Sequence, residues 1–280
     1  MMWELDASPP RLSGYCPAVR FGSDMTAVLD KFRLNDRLAL VTGGATGLGA
    51  AIAIALAEAG ARVVCHGNTR SPDETCNLIK TAGGEAYSVT GDLSKQETAR
   101  HLVEKTLEHC GRIDILVNNA GTIRRAPAVD YSEEDWTAVL EVNLNSVFRL
   151  CQLAGNNMIE SRRGGKIINI ASLLSFQGGI TVPAYAASKG GVAQLTKALA
   201  NEWSKYQINV NAIAPGYMRT ANTAALQADE TRNRQILERI PAGRWGEPED
   251  LAGPLLFLAS RASDFYTGHI LYADGGYTAG

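Results

Sequence analysis

The sequence lacks long apolar runs, paired cysteines and any concentration of positive charge. No stretch reaches the roughly 18 continuous apolar residues that a membrane-spanning helix needs, and residues 1–24 lack the apolar core of a secretory signal peptide. The five cysteines are scattered, odd in number and free of any C-x-x-C pair, which argues against a disulfide framework or a zinc site. From these absences we expect a cytoplasmic protein in a reducing compartment, with no membrane segment and no metal.

The charge of the chain is nearly balanced. Lys and Arg number 27 against 29 for Asp and Glu, which gives a formal net charge of −2 at pH 7. The sequence contains no basic stripe and no zinc-finger or RNA-binding spacing, so we expect no nucleic-acid partner. Hydrophobic residues make up 45% of the chain, as is typical of a globular protein.

No linker, repeat or low-complexity tract divides the chain after residue 36. A length of 280 residues would allow about two domains, but α/β chains of this size often close around one sheet. We therefore expect residues 25–280 to form a single domain and residues 1–24 to form a disordered extension.

Short apolar runs alternate with longer helical stretches from Leu38 onward. The runs are rich in β-branched residues and lack polar alternation, which is typical of strands covered on both faces. Helical segments such as 50–59 and 185–206 separate most of them. This pattern predicts an α/β fold, a doubly wound parallel sheet with helices on both faces. The predicted strands are 38–41, 62–65, 86–89, 113–117, 166–170, 209–213 and 270–272.

A glycine-rich turn, Thr-Gly-Gly-Ala-Thr-Gly-Leu-Gly, occupies residues 42–49 directly after the first predicted strand. Gly43, Gly47 and Gly49 let the backbone turn tightly and approach a pyrophosphate, and the free N–H groups of the next helix favour its negative charge. A glycine pattern alone also fits an ordinary strand-to-helix turn. The strand before it and the Ala-rich helix after it favour a dinucleotide site.

Further polar and glycine residues follow the later strands. In an open parallel sheet, ligands gather outside the carboxyl ends of the strands, so we expect these segments to meet the glycine turn in one crevice. The segments are Asn-Asn-Ala-Gly at 118–121, Asn143 in the following helix, Ser172, the Tyr185-x-x-x-Lys189 pair and Pro215-Gly216.

Tyr185 and Lys189 together predict a proton-transfer site. A tyrosine has a reference pKa near 10, so it needs a neighbouring positive charge to act as a base at neutral pH. Lys189 lies four residues along the same helix face and can supply that charge. Ser172 can hold a substrate oxygen while Tyr185 takes or returns the hydroxyl proton. On an arbitrary helix, a Tyr and a Lys at this spacing are usually only a surface pair.

The combination of these motifs resembles the short-chain dehydrogenase/reductase family from about residue 34 to residue 280. The resemblance implies a Rossmann-type fold, an NAD(P)-dependent oxidoreductase that acts on CH–OH groups, and a homotetramer. It also implies that Asn143 holds a water molecule that links Lys189 to solvent. The alternative for Asn143 is a polar helix residue satisfied by backbone groups. The implied cofactor contacts are Gly43, Thr46, Gly47, Leu48, Gly49, Asn68, Asp92, Leu93, Asn119, Ala120, Gly121, Tyr185, Lys189, Pro215, Gly216, Met218 and Thr220.

The choice between NAD and NADP is not decided by the sequence. An acidic residue after the second strand would bind the ribose hydroxyls of NAD, and a basic or neutral donor there would accept the phosphate of NADP. Residues 65–70 read Cys-His-Gly-Asn-Thr-Arg, without an acid. Arg70 can meet a phosphate or remain a solvated loop charge. The family resemblance gives a slight preference for NAD.

Three stretches, 118–125, 168–179 and 240–246, are similar to the sugar acid dehydrogenases of this family. The resemblance implies interconversion of a hydroxyl and a ketone on a keto-deoxy sugar acid. Arg124 and Arg125 could bind a carboxylate bidentately, although each could equally be an exposed surface residue. Ser175 and Gln177 could bind sugar hydroxyls. Together with Ser172 and Tyr185, these four residues form the predicted substrate site.

Residues 221–239 form one or two predicted polar helices before the last strand. Their place after Pro215-Gly216 predicts a substrate lid near residues 217–245, with a static helix pair as the alternative. Two other activities remain open for the enzyme, those of a gluconate 5-dehydrogenase and of a 3-oxoacyl-carrier-protein reductase. The remaining alternative is a dinucleotide-binding protein without catalysis. The four residues Asn143, Ser172, Tyr185 and Lys189 favour the enzyme.

Overall fold

A computed structural model of the chain describes residues 27–279. The extension predicted for residues 1–24 lies outside the described residues. The description begins just before a 3₁₀ turn, Val28–Phe32, that precedes the first strand.

The described residues form one seven-stranded parallel sheet with the strand order β3-β2-β1-β4-β5-β6-β7. This order confirms the predicted doubly wound α/β fold. The order reverses between β1 and β4, and such a switch point opens a crevice at the carboxyl ends of the strands. The strands are β1 Leu38–Val41, β2 Arg62–Gly67, β3 Ala86–Thr90, β4 Ile115–Asn118, β5 Gly165–Ile170, β6 Ile208–Pro215 and β7 Ile270–Ala273.

Helices cover both faces of the sheet. On one face, Ile52, Leu56 and Leu255 pack in a buried cluster against β1, β2 and β5. On the other face, Leu102 and Leu150 belong to a second buried cluster. The helices are α1 Gly47–Glu58, α2 Asp73–Thr81, α3 Gln96–Cys110, α4 Glu133–Leu140, α5 Ser146–Ser161, α6 Pro183–Trp203, α7 Ala224–Ala228, α8 Glu230–Leu237 and α9 Ala252–Ala259. The two clusters place α1, α2 and α9 on one side and α3, α5 and α6 on the other.

Local sequence explains where several helices begin. Pro183 stands at the start of α6, where its fixed φ angle suits a helix and its missing N–H costs nothing. The Ser132 side chain caps α4 by accepting a 3.1 Å hydrogen bond from the Asp135 N–H. A π-helical turn, Glu141–Asn145, joins α4 to α5 and contains Asn143. Such turns are rare and occur often at functional sites.

Within residues 27–279, no helix combines the length and the apolar character needed to cross a membrane.

Candidate active site

The glycine turn is fastened to the segment after β4 by hydrogen bonds between protein atoms. The Thr42 hydroxyl accepts hydrogen bonds of 3.0 Å from the backbone N–H groups of both Asn119 and Ala120. The Asn119 side chain donates back to the carbonyls of Thr42 at 2.9 Å and Gly43 at 3.2 Å. The predicted cofactor segments 43–49 and 119–121 therefore lie side by side across the switch point.

Gly43 and Gly49 of this turn have no room for a larger side chain. A Cβ atom on Gly49 would lie 2.0 Å from the Gly43 carbonyl oxygen, and one on Gly43 would lie 2.9 Å from Asn119 Nδ2. Gly43 and Gly47 have φ angles of 66° and 56°, in the left-handed region that favours glycine. The α1 N-cap, Thr46, makes no side-chain capping bond, which leaves the first N–H groups of α1 available to an anion. The turn thus fits a dinucleotide pyrophosphate.

The segment after β6 closes over the same turn. A Cβ atom on Gly47 would lie 3.7 Å from the Thr220 methyl carbon, so Thr220 lies beside the glycine turn, and its contact with the cofactor stays a prediction. Gly216 follows Pro215 at the end of β6 and donates to the Ala273 carbonyl at 2.9 Å. Met218 is buried.

The ends of β2 and β3 border the other side of the turn. Asn68 and Arg70 are exposed in the loop after β2, and Leu93 is buried after β3. Asp92 Oδ1 accepts a 2.9 Å hydrogen bond from the Ser94 N–H, and this bond lowers the pKa of the Asp92 carboxyl.

His66 is a site residue that sequence reasoning missed. Its ring is 1% exposed, lies at the end of β2 and contacts the glycine turn through a 3.3 Å hydrogen bond from the Gly43 N–H to Nδ1. The missed indication was a histidine within a strand whose other residues are mostly apolar and buried. A lone buried histidine does not reveal its partner until the fold places Gly43 beside it.

Tyr185 and Lys189 are neighbours on α6, as their spacing predicts. Lys189 Nζ lies 5.8 Å from the centroid of the Tyr185 ring and donates a 2.5 Å hydrogen bond to the Ile170 carbonyl. Burial lowers the pKa of Lys189 to about 8. Burial also raises the pKa of Tyr185, while a hydrogen bond with Ser172 and the positive charge of Arg125 lower it in part.

The positive charge of Arg125 is one cause that lowers the pKa of Tyr185 in this structure. The Lys189 amine is itself removed from water and points at a carbonyl of β5. The role predicted for Lys189, support of the Tyr185 phenolate, stays a prediction for the cofactor-bound enzyme.

Ser172 begins a 3₁₀ turn, Leu173–Ser175, directly after β5. Its hydroxyl accepts a 3.2 Å hydrogen bond from the Leu174 N–H, which orients it at the end of the strand. The Ser175 hydroxyl donates to the Lys189 carbonyl at 2.7 Å and accepts from the Ser172 N–H at 3.3 Å. Ser175 thus ties the Ser172 turn to α6, and any contact with a sugar hydroxyl, which stays a prediction, is limited to accepting a hydrogen bond.

The Asn143 side chain is fully buried and bonded to protein groups. Oδ1 accepts from the Thr122 N–H at 2.8 Å, and Nδ2 donates to the Thr122 carbonyl at 2.9 Å and to the Ser188 hydroxyl at 3.2 Å. This side chain therefore joins the segment after β4 to α6, three residues from Tyr185. The water contact that the family resemblance implies stays a prediction, and the side chain has one Oδ1 lone pair left for it.

The structure separates the two candidate substrate arginines. Arg125 lies close enough to Tyr185 for its charge to lower the pKa of the phenol. The Arg124 guanidinium instead lies 3.5 Å from an Asp135 carboxylate oxygen, with 55% of the arginine side chain exposed. Gln177 is half-buried in the loop after the Ser172 turn.

The segment between Tyr217 and Gly246 packs over the Ser172 turn. Leu173, Ile236 and Trp245 belong to one buried cluster, and Trp245 Nε1 donates to Asn233 Oδ1 at 2.7 Å. At the base of the segment, Gly246 donates to the Tyr217 carbonyl at 2.9 Å. The two ends of the predicted lid region, Tyr217 and Gly246, are thus hydrogen-bonded to each other.

Several known proteins are similar to this sequence over most of its length. Residues 43–278 match the family described as enoyl-(acyl carrier protein) reductase. The 2-dehydro-3-deoxy-D-gluconate 5-dehydrogenase of Bacillus subtilis is 56% identical over 248 residues, which covers 89% of this chain and 97% of the relative. The enzyme of the same name from Dickeya dadantii is 51% identical over 252 residues, covering 90% of this chain and 99% of the relative.

A solved structure shares both the fold and much of the sequence. The gluconate 5-dehydrogenase of Burkholderia cenocepacia, in complex with NADP and tartrate, superimposes with a TM-score of 0.85. It is 41% identical, and the match covers 91% of this chain and all of the relative. With the Tyr185–Lys189 pair, Ser172 and the glycine turn assembled at one switch point, the chain belongs to the short-chain dehydrogenase/reductase family of NAD(P)-dependent oxidoreductases that act on CH–OH groups.

Proposed function

We propose that the protein interconverts a hydroxyl and a ketone on a keto-deoxy sugar acid, as a 2-dehydro-3-deoxy-D-gluconate 5-dehydrogenase. The observation that carries this proposal is the assembly of Ser172, at the end of β5, with the Tyr185–Lys189 pair of α6. Arg125 is exposed in the segment after β4, and a guanidinium there suits a substrate that carries a carboxylate. The name of the relatives that are 51% and 56% identical supports the same substrate.

The chain's own residues would move the proton. During oxidation, Ser172 holds the substrate oxygen and Tyr185 takes the hydroxyl proton as the carbonyl forms, and during reduction Tyr185 returns that proton. When bound, the nicotinamide supplies the hydride acceptor or donor. Lys189, with a pKa of about 8, carries a positive charge at neutral pH and can exchange its proton near that pH. The Ile170 carbonyl fixes its position through the 2.5 Å bond.

Replacing Tyr185 with Phe tests the general acid–base role. We expect kcat for 2-dehydro-3-deoxy-D-gluconate to fall by about 10²–10⁴-fold because the ring remains and only the transferable proton is lost. Initial rates with NAD and with NADP would measure this, and calorimetric titration with the same cofactors would show that the variant still binds dinucleotide. A Tyr185→Phe enzyme with unchanged kcat would remove Tyr185 from the proton path.

The same assay separates the proposed substrate from its rivals. We would compare 2-dehydro-3-deoxy-D-gluconate with D-gluconate and with an acetoacetyl thioester. Turnover of gluconate alone would move the function to that of a gluconate 5-dehydrogenase, the name of the 41% identical structure. Turnover of the thioester alone would indicate a 3-oxoacyl reductase, and cofactor binding without any turnover would leave a binding protein.

Arg125 and Arg124 form a matched pair for the substrate contact. We expect Arg125→Ala to raise the Michaelis constant for the sugar acid by about 10–100-fold, because a hydrogen bond to a charged group is worth about 1.5–3 kcal/mol. It should also move the acidic limb of the oxidation profile, where the rate rises as Tyr185 loses its proton, to higher pH, since the Arg125 charge lowers the pKa of Tyr185. Arg124→Ala should change neither, because Arg124 faces Asp135. Steady-state kinetics from pH 6 to 10 would measure both effects. Equal effects of the two variants would contradict the assignment of Arg125, rather than Arg124, as the substrate contact.

The preference between NAD and NADP is a separate part of the proposal. The family resemblance favours NAD, whereas the loop after β2 carries the exposed Arg70 and no acid between residues 67 and 70, which favours NADP. The 41% identical structure holds NADP. Dissociation constants for both cofactors in the wild type and in Arg70→Ala would decide, since only an NADP site loses affinity when Arg70 is removed.

Residues 25–280 act in this proposal as one domain, in which residues 217–245 form a substrate lid. The contact of Leu173 with Ile236 and Trp245 in one cluster supports a lid, because the lid then packs on the residue next to Ser172. Closure would exclude water from the reacting carbon.

We also propose that the enzyme is a cytoplasmic homotetramer. Exposed apolar side chains support subunit contacts: Phe148 on α5 is 43% exposed, and Tyr272 on the edge strand β7 is 47% exposed. The cysteines of the described residues are unbridged, even though Cys65 and Cys76 share a hydrogen bond. Unbridged thiols are typical of a reducing compartment.

A further inference from the structure

His66 joins three backbone segments that surround the dinucleotide turn. Its Nδ1 accepts the Gly43 N–H at 3.3 Å, and its backbone carbonyl accepts the Gly44 N–H at 2.7 Å. On the other side of the ring, Nε2 lies 2.9 Å from the Gly91 carbonyl oxygen at the end of β3. The side chain is therefore held between the pyrophosphate turn and the segment that leads into Asp92.

These contacts fix the proton on one ring nitrogen. A carbonyl oxygen can only accept, so Nε2 carries the hydrogen and donates to Gly91, and Nδ1 keeps its lone pair for the Gly43 N–H. A protonated ring would present an N–H at Nδ1, and two donors would then face each other at Gly43. The observed arrangement requires the neutral Nε2–H form.

Among the described residues, the Gly43 N–H finds its hydrogen-bond acceptor in His66 Nδ1. Gly43 sits at φ 66°, and its backbone is pressed against Asn119 and Ala120, since a Cβ atom there would approach both to about 3 Å. The bond to His66 thus helps to hold the left-handed residue that begins the turn.

We propose that His66 is a positioning residue for the cofactor, which sets the dinucleotide turn through its neutral Nδ1 and couples that turn to the adenosine side through Gly91. It holds Gly43 in the conformation that binds a pyrophosphate. The cofactor affinity consequently depends on the hydrogen-bond acceptor that His66 Nδ1 offers to Gly43, and not on the volume that the ring occupies.

The surroundings of His66 favour the neutral ring. Burial lowers the pKa of His66, and the hydrogen bond to Gly91 raises it only in part. The ionisable groups on its own strand and on the neighbouring segments are Arg62, Cys65, Arg70, Asp73, Glu74, Cys76, Tyr87 and Asp92. Among the described residues, none of these shifts the pKa of the His66 ring appreciably. Loss of the neutral form therefore requires a pH below the usual range of histidine, near 6.5.

Three substitutions separate the two ring nitrogens. His66→Asn places an amide oxygen near Nδ1 and keeps an acceptor for Gly43. His66→Gln places an amide N–H near the Gly91 carbonyl and keeps that donor, but it provides no acceptor for the Gly43 N–H. His66→Leu removes both. Isothermal titration calorimetry with NAD⁺ and with NADP⁺ measures the dissociation constants without substrate, so its result is independent of the sugar acid proposal.

At pH 8 we expect the Leu and Gln variants to bind the cofactor about tenfold more weakly than the wild type, and the Asn variant to stay within about threefold. If the ring only filled space, all three substitutions would lower the melting temperature, and the Asn and Gln variants would bind the cofactor equally well. Equal affinities of the Asn and Gln variants would overturn the proposal. If the Leu variant does not fold, this Asn–Gln comparison decides by itself.

The pH dependence gives a second test. The ratio of the wild-type dissociation constant to that of His66→Asn cancels the titration of the cofactor and of every other group. We expect this ratio to rise as the pH falls through the pKa of His66, which NMR titration of the ring locates, with circular dichroism confirming that both proteins remain folded. A ratio that stays constant while the His66 ring takes up its second proton would also overturn the proposal.

Discussion

At the scale of single residues, the buried charge of Lys189 lowers the free energy of unfolding of the protein. Its amine is 4% exposed, and its contact with protein oxygen is the bond to the Ile170 carbonyl. Burial lowers its pKa from 10.5 to about 8, because a charged amine loses its hydration inside the protein. A group held in this way destabilises the fold at neutral pH, where both the folded and the unfolded chain carry the proton.

Lys189→Met should therefore stabilise the protein while abolishing activity. At pH 7 we expect a gain of about 2 kcal/mol in the free energy of unfolding, from about 3 kcal/mol of relieved burial cost less about 1 kcal/mol for the lost hydrogen bond. Between pH 8 and about 10.4 the unfolded wild type binds a proton that the folded protein has released, so the wild type gains stability and the variant's advantage disappears. Urea unfolding at pH 7 and pH 10 measures this.

Lys197→Met, on the exposed side of the same helix, is the control and should leave the free energy of unfolding nearly unchanged. A Lys189→Met protein that is less stable than the wild type at pH 7 would contradict the sign of this argument.

The spacing of Tyr185 and Lys189 predicted their proximity on one helix and the strand ends predicted Ser172, whereas Asn143 came from the family resemblance, and the catalytic roles of all four stay predictions. The sequence could not separate Arg125 from Arg124, since adjacent residues in a loop point in directions set by tertiary contacts, here the approach of Asp135 to Arg124. The Thr122 partner of Asn143 was hidden for the same reason. It lies 21 residues away in sequence.

At the scale of elements, the β1–α1 turn depends on glycine for two different reasons. Gly49 has no room for a Cβ atom because the Gly43 carbonyl is in contact with it. At Gly47 the nearest atom to a Cβ would be 3.7 Å away, so the protein itself leaves space there. What Gly47 must supply is a left-handed backbone and an open path for the pyrophosphate.

Gly47→Ala and Gly83→Ala distinguish the backbone from the ligand. Both residues have positive φ angles, 56° and 88°, and a Cβ on Gly83 meets nothing within 4 Å. Each alanine should cost about 1 kcal/mol of stability. Only Gly47→Ala should also raise the dissociation constant of the cofactor, by about tenfold or more, which corresponds to about 1.4 kcal/mol. Calorimetric titration measures this constant. Equal cofactor affinities in the two variants would show that the turn does not approach the dinucleotide.

The elements themselves were the part best predicted from the sequence. Continuous β-branched runs between helical stretches placed all seven strands of the described sheet within about two residues, because both faces of a parallel sheet are covered. The π-helical turn between α4 and α5 was not predicted, since one extra residue in a helix leaves the hydrophobic period almost intact. The 3₁₀ turn after Ser172 likewise depends on the bond between Ser175 and Lys189, which is non-local.

At the scale of the whole molecule, the exposed apolar side chains predict assembly. Phe148 and Tyr272 lie on different elements, α5 and the edge strand β7, and two kinds of contact are what a closed tetramer of two-fold symmetry requires. Edge strands left open in solution also invite association.

Light scattering should give a mass of four times 29.9 kDa. Phe148→Lys should reduce it to that of a dimer, because a charge buried in an apolar contact is unfavourable. Leu78→Lys, at a residue of α2 that is 57% exposed, is the control and should leave the mass unchanged. A wild-type mass of one subunit would refute the assembly.

The closed base of residues 217–246 has a consequence for how this enzyme can diversify. Because Gly246 bonds back to Tyr217 and Met218 pairs with Gly246, the chain leaves and re-enters the sheet region at nearly one point. Insertions between these residues change the loop-closure entropy only slightly and leave β6 and β7 in place. In the lid role that we propose for it, this segment can therefore be replaced as a unit while the residues proposed for proton transfer, at the end of β5 and on α6, stay in place.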